Sequence, residues 1–179
     1  MIRTTGCWRA AVIAASAILA GCHHDGNAGG AAFHPAQVGD VLAPYAMPSL
    51  SGDTVRIAPH QALTLVNVWA TWCTSCREEM ADLDTLQHDY APRGLRVVAV
   101  SVDQGDNARV QRFVEDQHLA FTVVHDPAGV IQEQYNVVGL PTSYLVDSTG
   151  KVLWEHTGNI ADVLGELRGA VTGALGPGR

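Results

Sequence analysis

The segment that most constrains the fold of this chain is 69–76, with the sequence WATWCTSC, in which Cys73 and Cys76 are separated by two residues. The apolar, β-branched run 63–69 leads into it and is typical of a buried parallel strand. Behind it, the apolar residues of segment 80–86 recur at helical spacing. We therefore expect Cys73 at a helix N-terminus, where free N–H groups and the helix dipole favour a thiolate over a thiol.

A Cys-x-x-Cys pair beside alternating strands and helices is typical of a dithiol/disulfide redox site. Residues i and i+3 are neighbours on a helix, so the two sulfur atoms can close a disulfide. Cys73, at the exposed helix tip, is predicted to attack a partner disulfide, and the more buried Cys76 to resolve the mixed disulfide. Structural zinc and a purely structural disulfide are alternatives, but zinc needs four ligands and the sequence has no second such pair. We expect no metal and no cofactor beyond the Cys73–Cys76 disulfide.

The N-terminal residues 1–21 have the features of a signal peptide. Arg3 and Arg9 are followed by a small, apolar run over 10–20 that is too short to span a bilayer as a helix. Residues 19–22, Leu-Ala-Gly-Cys, resemble the bacterial lipobox, which implies cleavage before Cys22 and lipidation of its thiol. An uncleaved membrane anchor and a plain secretory signal are the alternatives. With Cys22 lipidated and Cys7 removed, the Cys-x-x-Cys pair alone remains as free thiols.

Composition divides the rest of the chain into two parts. Residues 22–40, rich in Gly, Ala and His, are predicted to be a flexible tether whose histidines are solvated, and 41–179 a single domain. The net charge is −7 and there is one lysine, Lys151. Because the sequence contains no basic cluster, we expect neither nucleic acid nor anionic lipid as a partner.

Periodicity along the domain predicts alternating strands and helices. The predicted elements are a hairpin over 44–57, a strand 63–69, a helix 74–90, a strand 95–102, a helix from an N-cap at Asp106 to His118, a strand 121–124, a helix 127–135, a hairpin over 142–156 and a helix 160–170. This order predicts an α/β fold in which helices cover both faces of a mixed central sheet.

Two motifs resemble a known family. Residues 69–80 resemble the active-site segment of the TlpA/ResA-like thioredoxins, which are membrane-tethered, extracytoplasmic thiol-disulfide oxidoreductases. Residues 138–147, VGLPTSYLVD, with Gly150 after them, resemble the second motif of that family. The resemblance runs from about Val41 to Ala170. It implies a thioredoxin-like fold with an N-terminal β-hairpin and a helix–strand insertion after Val102.

The same resemblance implies roles around the cysteines. It implies that Pro141 is cis, lies against the two sulfur atoms and leaves the backbone of Leu140 free to pair with a substrate strand. An ordinary trans proline at the start of a strand is the alternative. Together with Leu140, the substrate contacts are expected from Trp72, Thr74 and Ser75.

Glu79 lies three residues after Cys76, on the same helix face. The family carries a glutamate here, so Glu79 is predicted to be a partly buried proton relay with a raised pKa. A solvated helix glutamate is the alternative, since the adjacent Glu78 could equally face water. Asn67 stands where cytoplasmic thioredoxins have a buried aspartate, so that second candidate base is absent.

The resemblance implies that this protein reduces protein disulfides, for instance of apocytochrome c or other periplasmic clients. It also implies a DsbD/CcdA-like transmembrane electron donor, and a lipid anchor at Cys22 holding the domain on the periplasmic side of a bacterial membrane. Two alternatives remain at this point. One is a disulfide oxidase or isomerase on the same fold. The other is a copper-binding protein using the cysteines and His125, although copper chaperones of that type have the longer Cys-x-x-x-Cys spacing.

Overall fold

A computed structural model describes residues 34–57 and 62–176 of the chain. The predicted signal peptide, the predicted lipidation site Cys22 and the tether up to residue 33 lie outside the described residues. Within the described part, no helix combines the length and the apolar character that crossing a membrane requires.

The strands form a two-stranded hairpin and a five-stranded sheet. They are β1 (Tyr45–Pro48), β2 (Thr54–Ile57), β3 (Leu63–Trp69), β4 (Leu95–Ser101), β5 (Thr122–His125), β6 (Thr142–Val146) and β7 (Val152–Thr157). The large sheet has the order β5-β4-β3-β6-β7, with β3, β4 and β5 parallel and β6 and β7 antiparallel to their neighbours. The mixed sheet and the N-terminal hairpin predicted from the sequence are confirmed.

The central strand β3 leads directly to the turn that carries the cysteines. Six of its seven residues are buried, as expected for a strand with a partner on each side. β3 pairs in parallel with β4 and antiparallel with β6, so the chain that leaves β3 emerges at the middle of the sheet. Cys73 follows four residues after the end of β3, and Cys76 three residues later.

The helices are α1 (Thr74–Glu78), α2 (Met80–Tyr90), α3 (Ala108–Gln117), α4 (Val130–Gln134) and α5 (Leu164–Leu175), with 3-10 turns at Ala91–Arg93 and Ile160–Val163. The apolar face that the helical spacing of segment 80–86 predicts is confirmed in α2, where Met80, Leu83 and Leu86 are buried. The prediction of one continuous helix over 74–90 is wrong. Glu79 has ψ −6°, far from the helical value of about −42°, and separates α1 from α2.

Other predicted boundaries move by a few residues. α3 begins at Ala108, with Asn107 as its N-cap residue, although the Asp106 carboxylate still accepts the N–H of Ala108 at 3.1 Å. α4 begins only at Val130, because Gly129 has a left-handed φ of 70°. The last helix continues to Leu175.

The end of the predicted tether packs on the domain. Ala36 is buried, the N–H of Gly39 donates to the carbonyl of Val152 at 2.9 Å, and the N–H of Val152 donates to the carbonyl of Asp40 at 2.8 Å. Residues 34–40 are therefore part of the folded unit, and the predicted domain start at residue 41 is too late.

Candidate active site

The two cysteines lie at the junction between β3 and α1. Cys73 is the N-cap residue of α1, and its N–H donates to the carbonyl of Ala70 at 3.1 Å, which closes the turn after the strand. The N–H of Cys76 donates to Sγ of Cys73 at 3.2 Å. Such a donor stabilises negative charge on the sulfur when the bridge is open, so this helix end favours a thiolate at Cys73.

Cys73 and Cys76 form a disulfide, with Sγ atoms 2.07 Å apart. Cys73 is 8% exposed and Cys76 is fully buried. Cys73 is thus less exposed than the sequence prediction of an open helix tip, but it borders a surface cleft and Cys76 does not. A partner can therefore approach the sulfur of Cys73 only. Ser75 Oγ lies 3.5 Å from that sulfur, whereas Thr74 is exposed and points to solvent.

Glu79 lies buried at the break between α1 and α2, and Glu78 beside it is exposed. The alternative of a solvated glutamate is wrong at this position. Oε1 of Glu79 accepts Nδ2 of Asn67 at 2.7 Å, and Oε2 accepts the N–H of Ile160 at 2.8 Å. Burial raises the pKa of Glu79 to about 7, although both hydrogen bonds act to lower it. The carboxyl group can therefore gain or lose a proton near neutral pH.

Asn67 and Ser143 support this carboxyl group from the sheet. The two residues face each other across β3 and β6, and Nδ2 of Asn67 also donates to Oγ of Ser143 at 2.9 Å. Oδ1 of Asn67 has no hydrogen-bond partner among the described residues. Amide and hydroxyl groups can both donate and accept. A half-turn of the Asn67 amide would let Oδ1 accept from a protonated Glu79 and from Ser143, so this pair can serve either protonation state.

The second motif forms a loop before β6. The Leu140–Pro141 peptide bond is cis, in agreement with the sequence expectation, and the carbonyl of Pro141 accepts the N–H of Gly158 at 2.9 Å. The N–H and carbonyl of Leu140 make no backbone hydrogen bond within the described residues. Both groups are thus free to pair with an added extended segment.

A cleft of about 780 Å³ lies between the cysteine turn and this loop. Its lining residues are Trp72, Cys73, Val102, Asp103, Gln104, Arg109, Gln132, Val137, Val138, Gly139 and Leu140. Trp72 and Val138 are 64% and 61% exposed, large values for apolar side chains. Exposed apolar side chains beside a reactive sulfur are typical of a surface that receives a partner. The structure therefore brings together Trp72, Cys73 and Leu140, three of the predicted substrate-contacting or catalytic residues.

A second buried carboxylate, Asp103, supports the turn and was not predicted from the sequence. Its Oδ2 accepts the N–H of Thr71 and Oγ of Ser101, each at 2.8 Å, and its Oδ1 accepts Oγ1 of Thr71 at 2.5 Å. These bonds tie the turn before Cys73 to the end of β4. The sequence near Asp103 shows only that it follows Ser101 at the end of a predicted buried strand. That pattern does not identify Thr71, 32 residues away, as its partner.

His125, the residue that suggested copper, is engaged elsewhere. Its Nε2 donates to the carbonyl of Asp103 at 2.8 Å. Within 34–57 and 62–176, no three His, Cys, Asp or Glu side chains are arranged to hold a metal ion.

Comparison with known sequences places this site in a family. Residues 38–155 match the AhpC/TSA family. The thiol-disulfide oxidoreductase ResA of Bacillus thuringiensis subsp. konkukian is 32% identical over 123 residues, which cover 68% of this chain and 70% of the relative. Thioredoxin-like protein YneN of Bacillus subtilis is 33% identical over 127 residues, covering 69% and 74%.

Solved structures agree with the sequence relatives. A Chlorobium tepidum protein, provisionally named thiol:disulfide interchange protein DsbE, superposes with a TM-score of 0.73 at 32% identity, over 79% of this chain and 99% of that one. StoA of Bacillus subtilis superposes with a TM-score of 0.64 over 74% and 98%, and at 21% identity it supports the fold alone.

Proposed function

The chain belongs to the AhpC/TSA family and to the TlpA/ResA-like thiol-disulfide oxidoreductases, and on that premise we propose that it reduces protein disulfides outside the cytoplasm. The observation that carries this proposal is the unequal exposure of the two sulfur atoms. Cys73 borders the cleft and Cys76 lies fully behind it, which supports an attacking and a resolving role in that order.

The proposed reaction begins with the reduced pair. The thiolate of Cys73 attacks one sulfur of a client disulfide, a Cys73–client disulfide forms, and the first client sulfur leaves as a thiolate and takes up a proton. Cys76 then loses its proton and attacks Sγ of Cys73, which releases the second client thiolate and closes the Cys73–Cys76 bridge. Two electrons and two protons pass from the dithiol to the client.

We assign the proton of the second step to Glu79. With a pKa of about 7, its carboxylate is available at neutral pH to accept the Cys76 proton and can release it afterwards. Its position three residues after Cys76 and its burial support this role. Asn67 and Ser143 would hold the carboxyl group in place in both protonation states.

The oxidised protein must then be reduced by a dithiol. We propose that a DsbD/CcdA-like transmembrane protein supplies the electrons, and that a lipid on Cys22 keeps the domain beside it on the periplasmic side of the membrane. The lipobox-like residues 19–22 support the anchor. Apocytochrome c and other periplasmic proteins with Cys-x-x-Cys disulfides are the proposed clients.

The reduction potential of the Cys73–Cys76 pair tests the direction of electron flow. Full-length protein with Cys7→Ser and Cys22→Ser keeps these two thiols alone and can be equilibrated with dithiothreitol or glutathione. We expect a value near or below that of thioredoxin, about −270 mV. A value near about −120 mV would instead mean that the protein donates disulfides.

The order of attack is tested separately by trapping. Cys76→Ser should accumulate a stable mixed disulfide with a client peptide, whereas Cys73→Ser should form none, as measured by intact mass. Accumulation in Cys73→Ser instead would reverse the assigned roles.

The relay is tested with a matched pair of variants. Glu79→Gln should slow resolution of the mixed disulfide about 100-fold, because a general base contributes at least that factor. Glu78→Gln removes a neighbouring, exposed carboxylate and should leave the rate unchanged. Equal rates in both variants would exclude Glu79 from proton transfer.

A further inference from the structure

The cleft beside Cys73 has an apolar wall and a polar wall. Trp72, Val138 and Leu140 provide apolar surface, whereas Gln104, Arg109 and Gln132 provide side chains that hydrogen-bond. A purely apolar groove would accept any hydrophobic segment. The polar wall gives this cleft the means to select among segments.

The charges of the cleft are unequal. Among the described residues, Arg109 is the one basic residue in its lining and Asp103 the one acidic residue. Asp103 is 2% exposed, and both of its carboxylate oxygens already accept hydrogen bonds from Thr71 or Ser101. Arg109 is exposed. From the part of the chain that the structure describes, an incoming segment therefore meets one positive charge in the cleft and no unpaired carboxylate.

The guanidinium group of Arg109 is uncommitted in the part of the chain that the structure describes. It makes no hydrogen bond there, and no carboxylate oxygen lies within 4.0 Å of it. Asp106, three residues earlier, uses Oδ1 to accept the N–H of Ala108 and does not pair with Arg109. A guanidinium group with free donors matches a carboxylate in charge and in geometry.

We propose that the cleft receives an extended client segment carrying an Asp or Glu next to its reactive cysteine, and that Arg109 binds that carboxylate. The segment would pair with the free backbone of Leu140 and cover Trp72, which brings its cysteine to Sγ of Cys73. This inference rests on the proposed reduction of protein disulfides and specifies which disulfides are preferred.

Outside the cleft, the net charge of the protein disfavours the approach of acidic segments. The chain carries a net charge of −7, so its long-range field repels acidic proteins. The preference for an acidic segment at Arg109 is therefore an effect of direct contact within the cleft. We expect 150 mM salt to weaken it less than it weakens the long-range repulsion by the net charge. Exposed ion pairs change an equilibrium up to about fivefold, and we expect a preference of that size.

The experiment uses two sets of three disulfide-containing peptides. Within each set the peptides differ at one residue next to the cysteine, which is Asp, Asn or Lys. The variable residue precedes the cysteine in one set and follows it in the other. Full-length reduced protein is mixed with each peptide, and the second-order rate constant for the single reduction of the peptide disulfide is measured. We expect the Asp peptide to exceed the Asn peptide about fivefold in one set, and the Lys peptide to be the slowest.

Two variants locate the effect. Arg109→Gln should abolish the preference for the Asp peptide over the Asn peptide, and Arg109→Glu should reverse it in favour of the Lys peptide. Arg112→Gln removes an exposed arginine of the same helix that does not line the cleft, and should keep the preference.

The outcomes separate this inference from the proposed function. Equal rates for all three peptides, or a preference that survives Arg109→Gln, would overturn the assignment of Arg109 while disulfide reduction itself stands. No reduction of the Asn peptide by the unmodified protein would overturn the proposed function first. A preference lost equally in Arg112→Gln would show a general charge effect and would also overturn the assignment.

Discussion

The two sides of the Cys73–Cys76 bridge differ in solvent access and in what their side chains bond to. The inner side, formed by Cys76, Glu79, Asn67 and Ser143, is buried, and its polar groups hydrogen-bond one another. The outer side, formed by Trp72, Val138, Leu140 and Arg109 around Cys73, is open, and its apolar side chains face water.

This difference matches two requirements of thiol-disulfide exchange. Proton transfer needs a carboxyl group in a fixed position with a pKa near the working pH, which burial provides on the inner side. Contact with a client needs surface that is exposed until the client arrives, which the outer side provides. The two environments meet at one disulfide, whose cysteines lie about one helical turn apart.

The test with the largest expected effect replaces the two tryptophans near the cysteine turn by alanine, one at a time. Trp69 is fully buried against Phe113, with ring centroids 5.2 Å apart, and Trp72 is 64% exposed. Trp69→Ala should lower the free energy of unfolding by about 3 to 5 kcal/mol. Trp72→Ala should change it by less than about 0.5 kcal/mol. Denaturant unfolding of the oxidised proteins measures both, and similar losses would mean that Trp72 contributes to the folded core and is not an open contact surface of the outer side.

The second test is the pH dependence of stability. The pKa of Glu79 is about 7 in the folded protein and about 4.5 when unfolded. Between these values the folded state holds a proton that the unfolded state releases, so this contribution to stability is complete below pH 4.5 and is lost as the pH rises through 7. The loss should reach about 3 kcal/mol.

The unfolding free energy of the unmodified protein minus that of Glu79→Gln isolates this contribution. We expect the difference to fall between pH 4.5 and 7 and to be level above that range. The same subtraction with Glu78→Gln should give no such slope, because Glu78 is exposed. A level difference for Glu79→Gln would mean that burial does not raise the pKa of Glu79.

The third test adds a charge to the inner side. Asn67→Asp places a second carboxyl group at hydrogen-bond distance from Glu79, and like charges that close cannot both ionise easily. The higher apparent pKa of the pair should rise by about one unit above that of Glu79, which the pH profile of mixed-disulfide resolution reports. Ser143→Ala removes the other partner of Asn67 without adding charge and should shift the profile much less.

The smallest test concerns the outer side. Trp72→Ala should lower kcat/KM for a peptide disulfide about fivefold, since exposed aromatic contacts contribute modestly, and should leave the pH profile unchanged. Trp72→Phe should retain most of the rate. A shifted profile in Trp72→Ala would show that the two sides are coupled.

Much of this arrangement could be predicted from the sequence, because it depends on local patterns. The strand into Cys73, the helical spacing after Cys76 and the motif around Pro141 are each contained in about ten residues. The sequence left open whether Glu79 is buried or faces solvent, and the structure shows that it is buried.

What could not be predicted depends on contacts between distant residues. Ser143 meets Asn67 through the register of β6 on β3, across 76 positions, and Asp103 meets Thr71 across 32. Asp103 belongs to neither motif, and the motif that contains Ser143 does not by itself show that Ser143 contacts Asn67. The burial of the Glu79 side chain likewise depends on a distant contact, since its carboxyl group accepts the backbone N–H of Ile160, 81 positions along the chain.

The hydrogen bond from the Ile160 N–H to Glu79 also makes a spectroscopic probe available inside the protein. This single amide donates directly to the carboxyl group, so its ¹H and ¹⁵N chemical shifts should follow the ionisation of Glu79 with the same midpoint. Its hydrogen exchange with deuterated solvent should be slowest when the carboxylate is charged, because charge-assisted bonds are the stronger ones. An amide 81 positions along the chain thereby reports the charge state beside the disulfide without any added label.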